Sequence, residues 1–522
     1  MICNKFKKVV SFYLFIVMII IFLGSTVNGK ETSTPKEDNY SALEKYIQNE
    51  MKASYIPGLS VSIIKDNDVV YSRGFGVADS KDKKVTPETS FSIGSVSKTF
   101  AAVATMQLVE KGKIDLDAPI EKYIPWVKIS VPDGAPKITV KNLLSHTSGI
   151  STKLGQKIAT EDESEDIKGL ILKQKDIKTE KPAGETWEYS NFNYTLIGAI
   201  VEAVSGESYK DYLRKNILIP LEMNNTFLTE EEILKGNSAS GFETFFGKLV
   251  VFDYPYRADC LPEGTIYSSA EDMTHYMSML LNDGKYKDKN ILSSESIETI
   301  RTPVAYTQSF LFGLGTCISG RIYYHGGDNF NFHAFMVLNP DDKTGAIMMY
   351  NANHYFVLNG IGLYNKLFHD QANPPAGNMD QAMVNTINGN TSYYFTSVNV
   401  KKLYVVFNAL FLIIIVLLSS SVYRLKYWKK RLTKKSKLKI IYIIWSIIVN
   451  AIVPIIIICI PKIYGTNWRS IYYSIPDLGY GLIAIALVLL TIGVIKVSIA
   501  LSLIRFEKLK TDGNFKIKGY ND

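Results

Sequence analysis

Hydrophobic and polar positions along the chain predict strands near both ends of a long N-terminal region, with helices between them. Residues 58–79 read as two strands around a Lys-Asp-Asn-Asp turn, and residues 335–353 read as a second hairpin. Apolar residues recur at helical spacing over Ser41–Ala53 and again from Ser97 to Lys113. Such a chain is expected to pair its ends in one antiparallel sheet and to pack helices against that sheet. In the helix from Ser97 the following apolar residues are expected on one side: Phe100, Val103, Met106, Leu108 and Val109.

The last fifth of the chain has a different pattern. Leu403–Val422, Ile440–Ile460 and Tyr480–Ile504 are largely apolar, and each is long enough to cross a bilayer. Nine Lys and Arg residues in 424–439 predict a cytoplasmic loop between the first two runs, and the basic tail after the third predicts a cytoplasmic end. This orientation places the residues before 403 outside the cytoplasmic membrane.

Two residues interrupt these apolar runs. Pro454 is expected to kink the second run, because proline lacks a backbone N–H and clashes with the preceding turn. Lys496 is expected to extend its ammonium toward the cytoplasmic interface. A polar contact inside the helix bundle is the alternative for Lys496.

The N-terminus predicts export. Lys5, Lys7 and Lys8 precede an apolar stretch from Val9 to about Leu23, and small residues near position 29 permit cleavage. An uncleaved anchor is the alternative. The chain is therefore divided into a signal peptide (1–29), a linker (30–39), one exported domain (40–370), a linker rich in Asn, Gly, Ser and Pro (371–402), three transmembrane helices (403–504) and a cytoplasmic tail (505–522).

Charge and cysteine usage exclude two classes of function. The net charge of +8 in 522 residues is concentrated in 424–439, so it does not indicate a nucleic-acid surface. The four cysteines have no zinc-site spacing, and no metal or other cofactor is expected. Cys260 and Cys317 lie in the exported domain and could form one disulfide.

The pattern Ser-x-x-Lys occurs five times, at Ser33, Ser62, Ser80, Ser95 and Ser436. Residues three apart share one face of a helix, so a serine one turn before a lysine could be an activated nucleophile. Only the Ser95–Lys98 pair lies at the entry of a long apolar helix. A helix N-terminus stabilises developing negative charge, which suits a serine that forms an oxyanion adduct.

Two further stretches could complete a site. Tyr189-Ser190-Asn191 precedes another apolar helix, and a phenol near a lysine ammonium could serve as a base because the positive charge favours the phenolate. His325-Gly326-Gly327 precedes a strand, where glycines permit close approach of the backbone to a ligand and peptide N–H groups can form an oxyanion hole.

In this order the three stretches resemble the serine hydrolases that include class C β-lactamases, serine D,D-peptidases and related esterases. The segments "LLSHTSGI" and "YSNFNYTLIGAIVEAVSG" are also similar to that family, over roughly residues 40–370. The resemblance implies an α/β (α+β) β-lactamase/transpeptidase-like fold, with an antiparallel sheet flanked by helices and a helical subdomain.

The resemblance also implies a role for each matching residue. Ser95 would be the acylated nucleophile, Lys98 would hold the ionic network and help to move the proton, and Tyr189 would act as base and then acid. The expected substrate contacts are Ser190, Asn191, His325, Gly327, Asp328 and Asn331. Among these, the N–H of Asp328 would complete the oxyanion hole with the N–H of Ser95, and Asn331 stands where many relatives have glycine. Glu263 stands where a small residue is common, which argues against a plain β-lactamase pocket.

The layout of an exported domain followed by three spans is similar to peptidases that mature non-ribosomal peptide prodrugs. The resemblance implies a small peptide or acyl-peptide substrate, an amide next to a D-amino acid, and a capping N-acyl-D-asparagine gripped by Ser190 and Asn331. A D,D-carboxypeptidase, a β-lactamase, an esterase and a sensor that is acylated at Ser95 are the alternatives. The expected location is the bacterial cell membrane, with several spans and an extracytoplasmic catalytic domain.

Overall fold

The computed structural model describes residues 40–161, 164–174, 177–252, 254–307, 309–353, 378–390, 393, 400–432, 438–463, 467–474 and 476–511. The predicted signal peptide, the predicted linker 30–39 and residues 512–522 of the predicted tail lie outside this range. The chain divides into two compact units. The first comprises Met1–Thr244 and Lys248–Lys401, and the second comprises Phe245–Gly247 and Lys402–Asp522.

An eight-stranded antiparallel sheet forms the centre of the first unit. Its strands are β1 (Gly58–Lys65), β2 (Asp68–Gly76), β3 (Ala305–Tyr306), β4 (Leu311–Phe312), β5 (Cys317–Ser319), β6 (Ile322–Asn329), β7 (Phe332–Asn339) and β8 (Thr344–Tyr350). Their order in the sheet is β3-β4-β5-β6-β7-β8-β1-β2. The N-terminal strand β1 therefore pairs with the C-terminal strand β8, which confirms the predicted closure of one sheet by its end strands.

Both predicted hairpins are present. β1 and β2 are joined at Asp66 and Asn67, which have φ values of 51° and 71°. Asp and Asn tolerate positive φ, and two such residues in succession form the turn whose twist matches that of paired strands. β7 and β8 form the second hairpin, with Phe335 opposite Met348.

The sheet separates two hydrophobic cores. Alternate residues of β7 face opposite sides, so Ala334 and Met336 lie in the core that also contains Val96 and Phe100. Phe335 and Val337 lie in the other core with the N-terminal helix Ser41–Ser54. The first core is the larger and extends into the helical part of the unit. The turn that contains Ser95 therefore packs on the side of the sheet that has the larger hydrophobic core.

Helices and short strands fill the rest of the first unit. The helices are Ser41–Ser54, Ser97–Glu110, Val140–Leu144, Thr152–Glu161, Ile167–Leu172, Asn191–Ser205, Tyr209–Leu213, Glu230–Lys235, Ala270–Leu281, Ser294–Arg301 and Asn378–Ile387, with 3₁₀ turns at Gly94–Val96, Ile120–Lys122 and Ala258–Cys260 and a π-helical turn at Arg214–Leu218. The short strands pair as Ser90–Ser92 with Tyr267–Ser269, Ile129–Ser130 with Ile177–Lys178, Phe242–Phe245 with Lys248–Val251, and Lys285–Tyr286 with Lys289–Asn290.

The helix Ser97–Glu110 is more deeply buried than its sequence pattern predicts. Every residue from Ser97 to Leu108 is buried, rather than one apolar side of the helix alone. Threonines and alanines on its remaining faces are small enough to pack against other elements, and Thr105 satisfies its hydroxyl on the carbonyl of Ala101 at 2.8 Å. The helix therefore runs through the interior and holds its first turn in a fixed place.

The predicted linker 371–402 contains an ordered helix, Asn378–Ile387. Met379, Ala382, Met383 and Ile387 are buried in the core on the far side of the sheet from Ser95. The hydroxyl of Thr344 donates to the carbonyl of Ile387 at 3.1 Å and fixes the helix end. A composition rich in Asn and Gly hid these four apolar residues, which are spaced as one face of a helix.

Cys260 and Cys317, considered above as one disulfide, are free thiols in the structure. Burial raises the pKa of both thiols. Each side chain therefore contributes as a small, neutral packing group, and the first unit holds its shape through its cores rather than through this cross-link.

The second unit is helical. Its helices and turns are Val400–Tyr423, whose first two residues belong to the first unit, Arg424–Tyr427 (3₁₀), Trp428–Leu432, Leu438–Ile447, Ile448–Ile452 (π), Val453–Ile463, Trp468–Ser474 and Pro476–Thr511. Three segments of the described chain are long and apolar enough to cross a membrane: Phe411–Lys430, Ile443–Lys462 and Gly479–Arg505. They overlap the three predicted spans, and this agreement is consistent with membrane anchoring.

The two residues expected to disturb the spans have defined surroundings. The π-helical turn Ile448–Ile452 ends beside Pro454, and such a turn accommodates the missing N–H of proline within a continuous helix. The Lys496 ammonium lies 5.0 Å from the ring centre of Trp428, whose indole N–H donates to the Lys496 carbonyl at 3.1 Å. This cation–π contact joins Lys496 to a residue of the segment 424–439, which is predicted to be cytoplasmic, and both expectations for Lys496 stay predictions.

Candidate active site

Ser95 lies at a tight turn between a short strand and the buried helix. The strand Ser90–Ser92 leads into the 3₁₀ turn Gly94–Val96, and the helix begins at Ser97. Gly94 has φ of +49°, a conformation that glycine adopts without strain. Ser95 is partly exposed whereas the residues on both sides of it are buried. Its hydroxyl is therefore held at a fixed point that a substrate can reach.

Two donors converge on the Ser95 hydroxyl. The Tyr189 phenol donates to Ser95 Oγ at 2.7 Å, and the Lys98 ammonium donates to the same atom at 3.0 Å. Lys98 also donates to the backbone carbonyl of Glu263 at 2.6 Å, which fixes the direction of its side chain. A serine between a lysine and a tyrosine has both a proton acceptor and a proton donor within reach.

Burial has opposite effects on the acidities of these two partners. Desolvation lowers the pKa of Lys98 to about 7, although the nearby Glu263 and Cys260 act in the other direction. Burial raises the pKa of Tyr189 well above its ordinary value, and the hydrogen bond to Ser95 offsets only part of this effect. The expected stabilisation of a phenolate finds no support here, because desolvation by burial is the largest influence on the pKa of Tyr189 and raises it. Burial therefore favours a neutral Tyr189 phenol beside a Lys98 side chain whose lowered pKa lets it lose its proton near pH 7.

The edge of β6 comes into close contact with the turn that carries Ser95. A Cβ added to Gly327 would lie 2.0 Å from the Ile93 carbonyl oxygen and 3.0 Å from the Ser95 nitrogen. A Cβ added to Gly94 would lie 2.8 Å from the Asp328 nitrogen. Two glycines thus let the peptide nitrogens of Ser95 and Asp328 come near each other, as an oxyanion hole requires.

His325 and Asn191 offer polar atoms that no described residue occupies. His325 Nδ1 lies 2.6 Å from the Gly326 carbonyl oxygen and therefore carries the proton, which leaves Nε2 as a buried acceptor without a partner among the described residues. Burial, with the Lys98 charge, lowers the pKa of His325 to about 4, so this imidazole is neutral. Asn191 begins the helix Asn191–Ser205. Its Oδ1 is buried, and none of the residues that the structure describes donates a hydrogen bond to it.

Ser190 and Asn331 use their polar groups within the protein. Ser190 is fully buried, and its hydroxyl donates to the Ser151 carbonyl at 3.1 Å. Asn331 lies in the two-residue turn between β6 and β7, and its amide donates to the Phe252 carbonyl at 2.7 Å. These contacts hold neighbouring segments together, so the grip on a D-asparagine side chain that the sequence suggested has no support from these two residues.

His146 was not identified from the sequence as part of the site, and Glu263 was noted there only as a departure from the pattern of relatives. His146 has φ of 57°, its Nδ1 accepts the Ser190 N–H at 3.2 Å, and its ring lies 4.5 Å from that of Tyr189. His146 thus packs against the Tyr189 ring and holds the backbone of the next residue, Ser190. It belongs to the segment "LLSHTSGI", which is similar to the family over its whole length and which offered the only signal for this residue.

Glu263 contributes more than its backbone carbonyl. Its carboxylate is buried and accepts from Thr195 at 2.9 Å, and burial raises its pKa while Lys98 lowers it. An acidic residue in place of a small one therefore puts a second titrating group beside the lysine. Groups of three or more His, Cys, Asp or Glu residues that could hold a metal ion were sought among the described residues, and none was found.

Comparisons with known proteins show the family to which this chain is similar. A family model described as Beta-lactamase matches residues 43–366. The chain is 30% identical over 324 residues to the putative penicillin-binding protein PbpX of Bacillus subtilis (strain 168), covering 61% of this chain and 76% of that protein. It is 28% identical over 323 residues to Protein flp of Staphylococcus aureus (strain N315), covering 61% of this chain and 64% of that protein's length.

Solved structures show the same fold. The octameric penicillin-binding protein homologue from Pyrococcus abyssi aligns with a TM-score of 0.56 at 31% identity, over 65% of this chain and 79% of that one. A class C beta-lactamase in complex with cefoxitin aligns with a TM-score of 0.52 at 22% identity, over 60% of this chain and 94% of that one. The second likeness supports the fold alone.

Proposed function

The chain belongs to the beta-lactamase family of serine hydrolases, and on this premise we propose that it is a membrane-anchored hydrolase that forms an acyl-enzyme on Ser95. The observation that supports this proposal is the pair of hydrogen bonds, from Tyr189 and Lys98, that meet on one serine oxygen. A packing role does not require a fully buried lysine and a partly buried tyrosine to share one hydroxyl.

The proposed reaction uses these groups in turn. Neutral Lys98 accepts the Ser95 proton as Oγ attacks the substrate carbonyl, and the peptide N–H groups of Ser95 and Asp328 stabilise the resulting oxyanion. As the bond from carbon to the leaving group breaks, Tyr189 gives its proton to that group. The Lys98 ammonium then returns a proton to Tyr189. Water hydrolyses the ester on Ser95 in a second cycle of the same transfers.

The proposed substrate is an amide beside a D-amino acid, in a peptide or acyl-peptide outside the cytoplasmic membrane. Similarity to proteins named as penicillin-binding supports a D-configured neighbour, and three candidate spans support access to a substrate with an acyl chain. Removal of an N-acyl-D-asparagine cap is the finer form of this proposal. Asn191 Oδ1, which is buried without a partner among the described residues, would accept an amide N–H of such a substrate.

A penicillin-binding D,D-carboxypeptidase is the second candidate. It is supported by the name of the relative that is 30% identical and by the likeness to the Pyrococcus penicillin-binding protein homologue. A β-lactamase, an esterase and a slowly turning sensor share the acylation step and differ in the acyl group or in the rate of deacylation. Product analysis therefore separates these functions.

The experiment compares membranes that contain the wild-type chain with membranes that contain Ser95→Ala. Each is incubated with an N-myristoyl-D-asparaginyl amide, with an acyl-D-Ala-D-Ala peptide and with a chromogenic cephalosporin, and products are identified by mass spectrometry. Release of myristoyl-D-asparagine that depends on Ser95 supports the prodrug reaction. Release of D-alanine supports the second candidate, and a stable adduct without product supports the sensor. Equal turnover by both membranes rejects the serine mechanism.

A further inference from the structure

The side chain of Asp328 points away from the nucleophile, to the other face of the sheet. Asp328 lies directly opposite His333 in the pairing of β6 with β7, and Gly327 lies opposite Ala334. Because successive residues of a strand face opposite sides, Gly327 faces Ser95 while Asp328 and His333 face the core on the far side. One residue thus offers its peptide N–H to the site and its carboxylate to the opposite face.

A histidine bridges this carboxylate to a second one. His333 Nδ1 lies 2.8 Å from Asp328 Oδ1, and His333 Nε2 lies 3.0 Å from Asp380 Oδ1. The His333 side chain is 10% exposed, and its ring stacks on Tyr350 with 4.8 Å between centroids. Ionised carboxylates can only accept hydrogen bonds, so a histidine between two of them donates from both nitrogens and carries a positive charge.

The electrostatic surroundings agree with this geometry. Burial alone would lower the pKa of His333, but Asp380 and Asp328 raise it to about 10. Burial opposes ionisation of Asp328 as well, yet the His333 charge brings the pKa of that carboxyl below its ordinary value. Tyr350 on β8 and Tyr46 on the N-terminal helix are neutral at pH 8, since burial raises the pKa of each. His325 on β6, whose charged form would lower the pKa of Asp328, is neutral above its own pKa of about 4.

The bridge is anchored at both ends. Asp380 lies in the first turn of the helix Asn378–Ile387, which buries one face against the sheet. The Asn353 amide donates to Asp328 Oδ1 at 2.9 Å and to the Asn329 carbonyl at 3.1 Å. The Asp328 side chain is thus held by the charge of His333 on β7 and by the Asn353 amide, three residues after the end of β8. Rotation of the Asp328 peptide plane would break these contacts.

We propose that His333, bridging Asp328 and Asp380, is a positioning residue that fixes the Asp328 peptide N–H toward the oxyanion formed on Ser95. This inference rests on the proposed function, because it assumes that Ser95 is the nucleophile. The helix Asn378–Ile387, which composition places in a linker, then supports the rate of acylation from the far side of the sheet. His333 and Asp380 are largely shielded from solvent, at 10% and 21% exposure, whereas the Asp328 carboxylate is 43% exposed. The bridge therefore ties an accessible carboxylate to a shielded histidine and a helix, which restrains the strand residue that carries it.

The test uses the full-length chain in detergent and a fluorophosphonate probe that labels nucleophilic serines. Asp380→Asn and His333→Gln each leave the bridge incomplete, since neither keeps two charge-assisted bonds. Asp341→Asn removes a carboxylate from an exposed ion pair with Arg321 and serves as the control. Rates of labelling are measured against probe concentration, and thermal unfolding of each variant is recorded in parallel.

Both bridge variants are expected to lower the maximal labelling rate by about tenfold or more, with little change in the probe concentration that gives half of that rate. Complete loss of one oxyanion donor costs about 100- to 1000-fold, which sets the upper bound. Asp341→Asn is expected to label like wild type. Maximal rates equal to wild type in both bridge variants, with lowered unfolding temperatures, would reduce the bridge to a structural role.

A second measurement does not depend on the stability of a variant. Labelling of the wild type is expected to fall reversibly as pH rises through about 10, where His333 loses its proton. In Asp380→Asn this fall is expected at lower pH, since the histidine has lost one of its two carboxylates. An unmoved fall would overturn the inference. Failure of the wild type to label at Ser95 would reject the proposed function and the inference together.

Discussion

Replacing Glu263 with Gln should make acylation of Ser95 faster at acidic pH. Lys98 is fully buried, and desolvation lowers its pKa from 10.5 to about 7 while the Glu263 carboxylate partly opposes that effect. This change disfavours the ammonium by about 5 kcal/mol. At pH 7 about half of the molecules then hold a neutral lysine, compared with roughly one in 3000 for an unperturbed lysine. Burial thus supplies the base.

The sign of the expected shift follows from the charges. Neutral Lys98 is the form that accepts the Ser95 proton, so the rate of acylation rises with pH through about 7 in the wild type. Glu263→Gln removes a negative charge that favours the ammonium, which lowers the pKa of Lys98 further. If the pKa of Lys98 falls by about one, the fraction of molecules with a neutral Lys98 at pH 6 rises roughly fivefold.

The assay is the rate of fluorophosphonate labelling between pH 5 and pH 9, in detergent at constant ionic strength. Glu271→Gln is the matched control, since Glu271 is exposed and lies outside the site. The rise of the wild-type rate is expected near pH 7, that of Glu263→Gln at lower pH, and that of the control at the wild-type position. A rate that is flat or falls through pH 7, or a rise that moves to higher pH in Glu263→Gln, would refute Lys98 as the base.

Three other predictions follow from the geometry. Tyr189→Phe removes a donor to Ser95 Oγ and the proposed acid, so turnover of an amide substrate should fall by about 100-fold or more, while the unfolding temperature stays near that of wild type. Gly327→Ala places a methyl group against backbone, so it should destabilise the fold by about 3 kcal/mol or more, as measured by chemical denaturation. Cys260 and Cys317 should both be alkylated in unfolded protein without prior reduction, and resistance of the pair to alkylation would contradict the free thiols.

The sheet could be predicted because the residues of each hairpin, its alternating strands and its turn, favour that hairpin locally. Apolar and polar residues alternate over 58–79 on both sides of a turn, where Asp66 and Asn67 adopt positive φ. The first and last strands of the chain each need a neighbour for their backbone hydrogen bonds, and they pair with each other. The helix Asn378–Ile387 escaped prediction for a physical reason. Its apolar residues stand among Asn, Asp, Gln and Thr in a region of disorder-prone composition, and the core on the far side of the sheet makes a helix there favourable.

The sequence identified which residues form the site better than it identified which of them gives or takes a proton. Ser95 and Lys98 are three residues apart, so one helical turn brings them together, and Tyr189 joins them as its motif implied. The direction in which a pKa moves depends on burial by distant segments, which a sequence does not display. Ser190 and Asn331 likewise found partners within the protein, Ser151 and Phe252, that only the tertiary fold brings near.

The most direct test of the central claim is to locate the covalent intermediate. Full-length protein is mixed with a β-lactam or an acyl-D-amino acid amide, quenched in acid, digested and analysed by mass spectrometry. We expect an added acyl mass on the peptide that contains Ser95, and no such mass in a Ser95→Ala variant that unfolds at the wild-type temperature. An adduct on another residue, or product formed at the wild-type rate by Ser95→Ala, would contradict it.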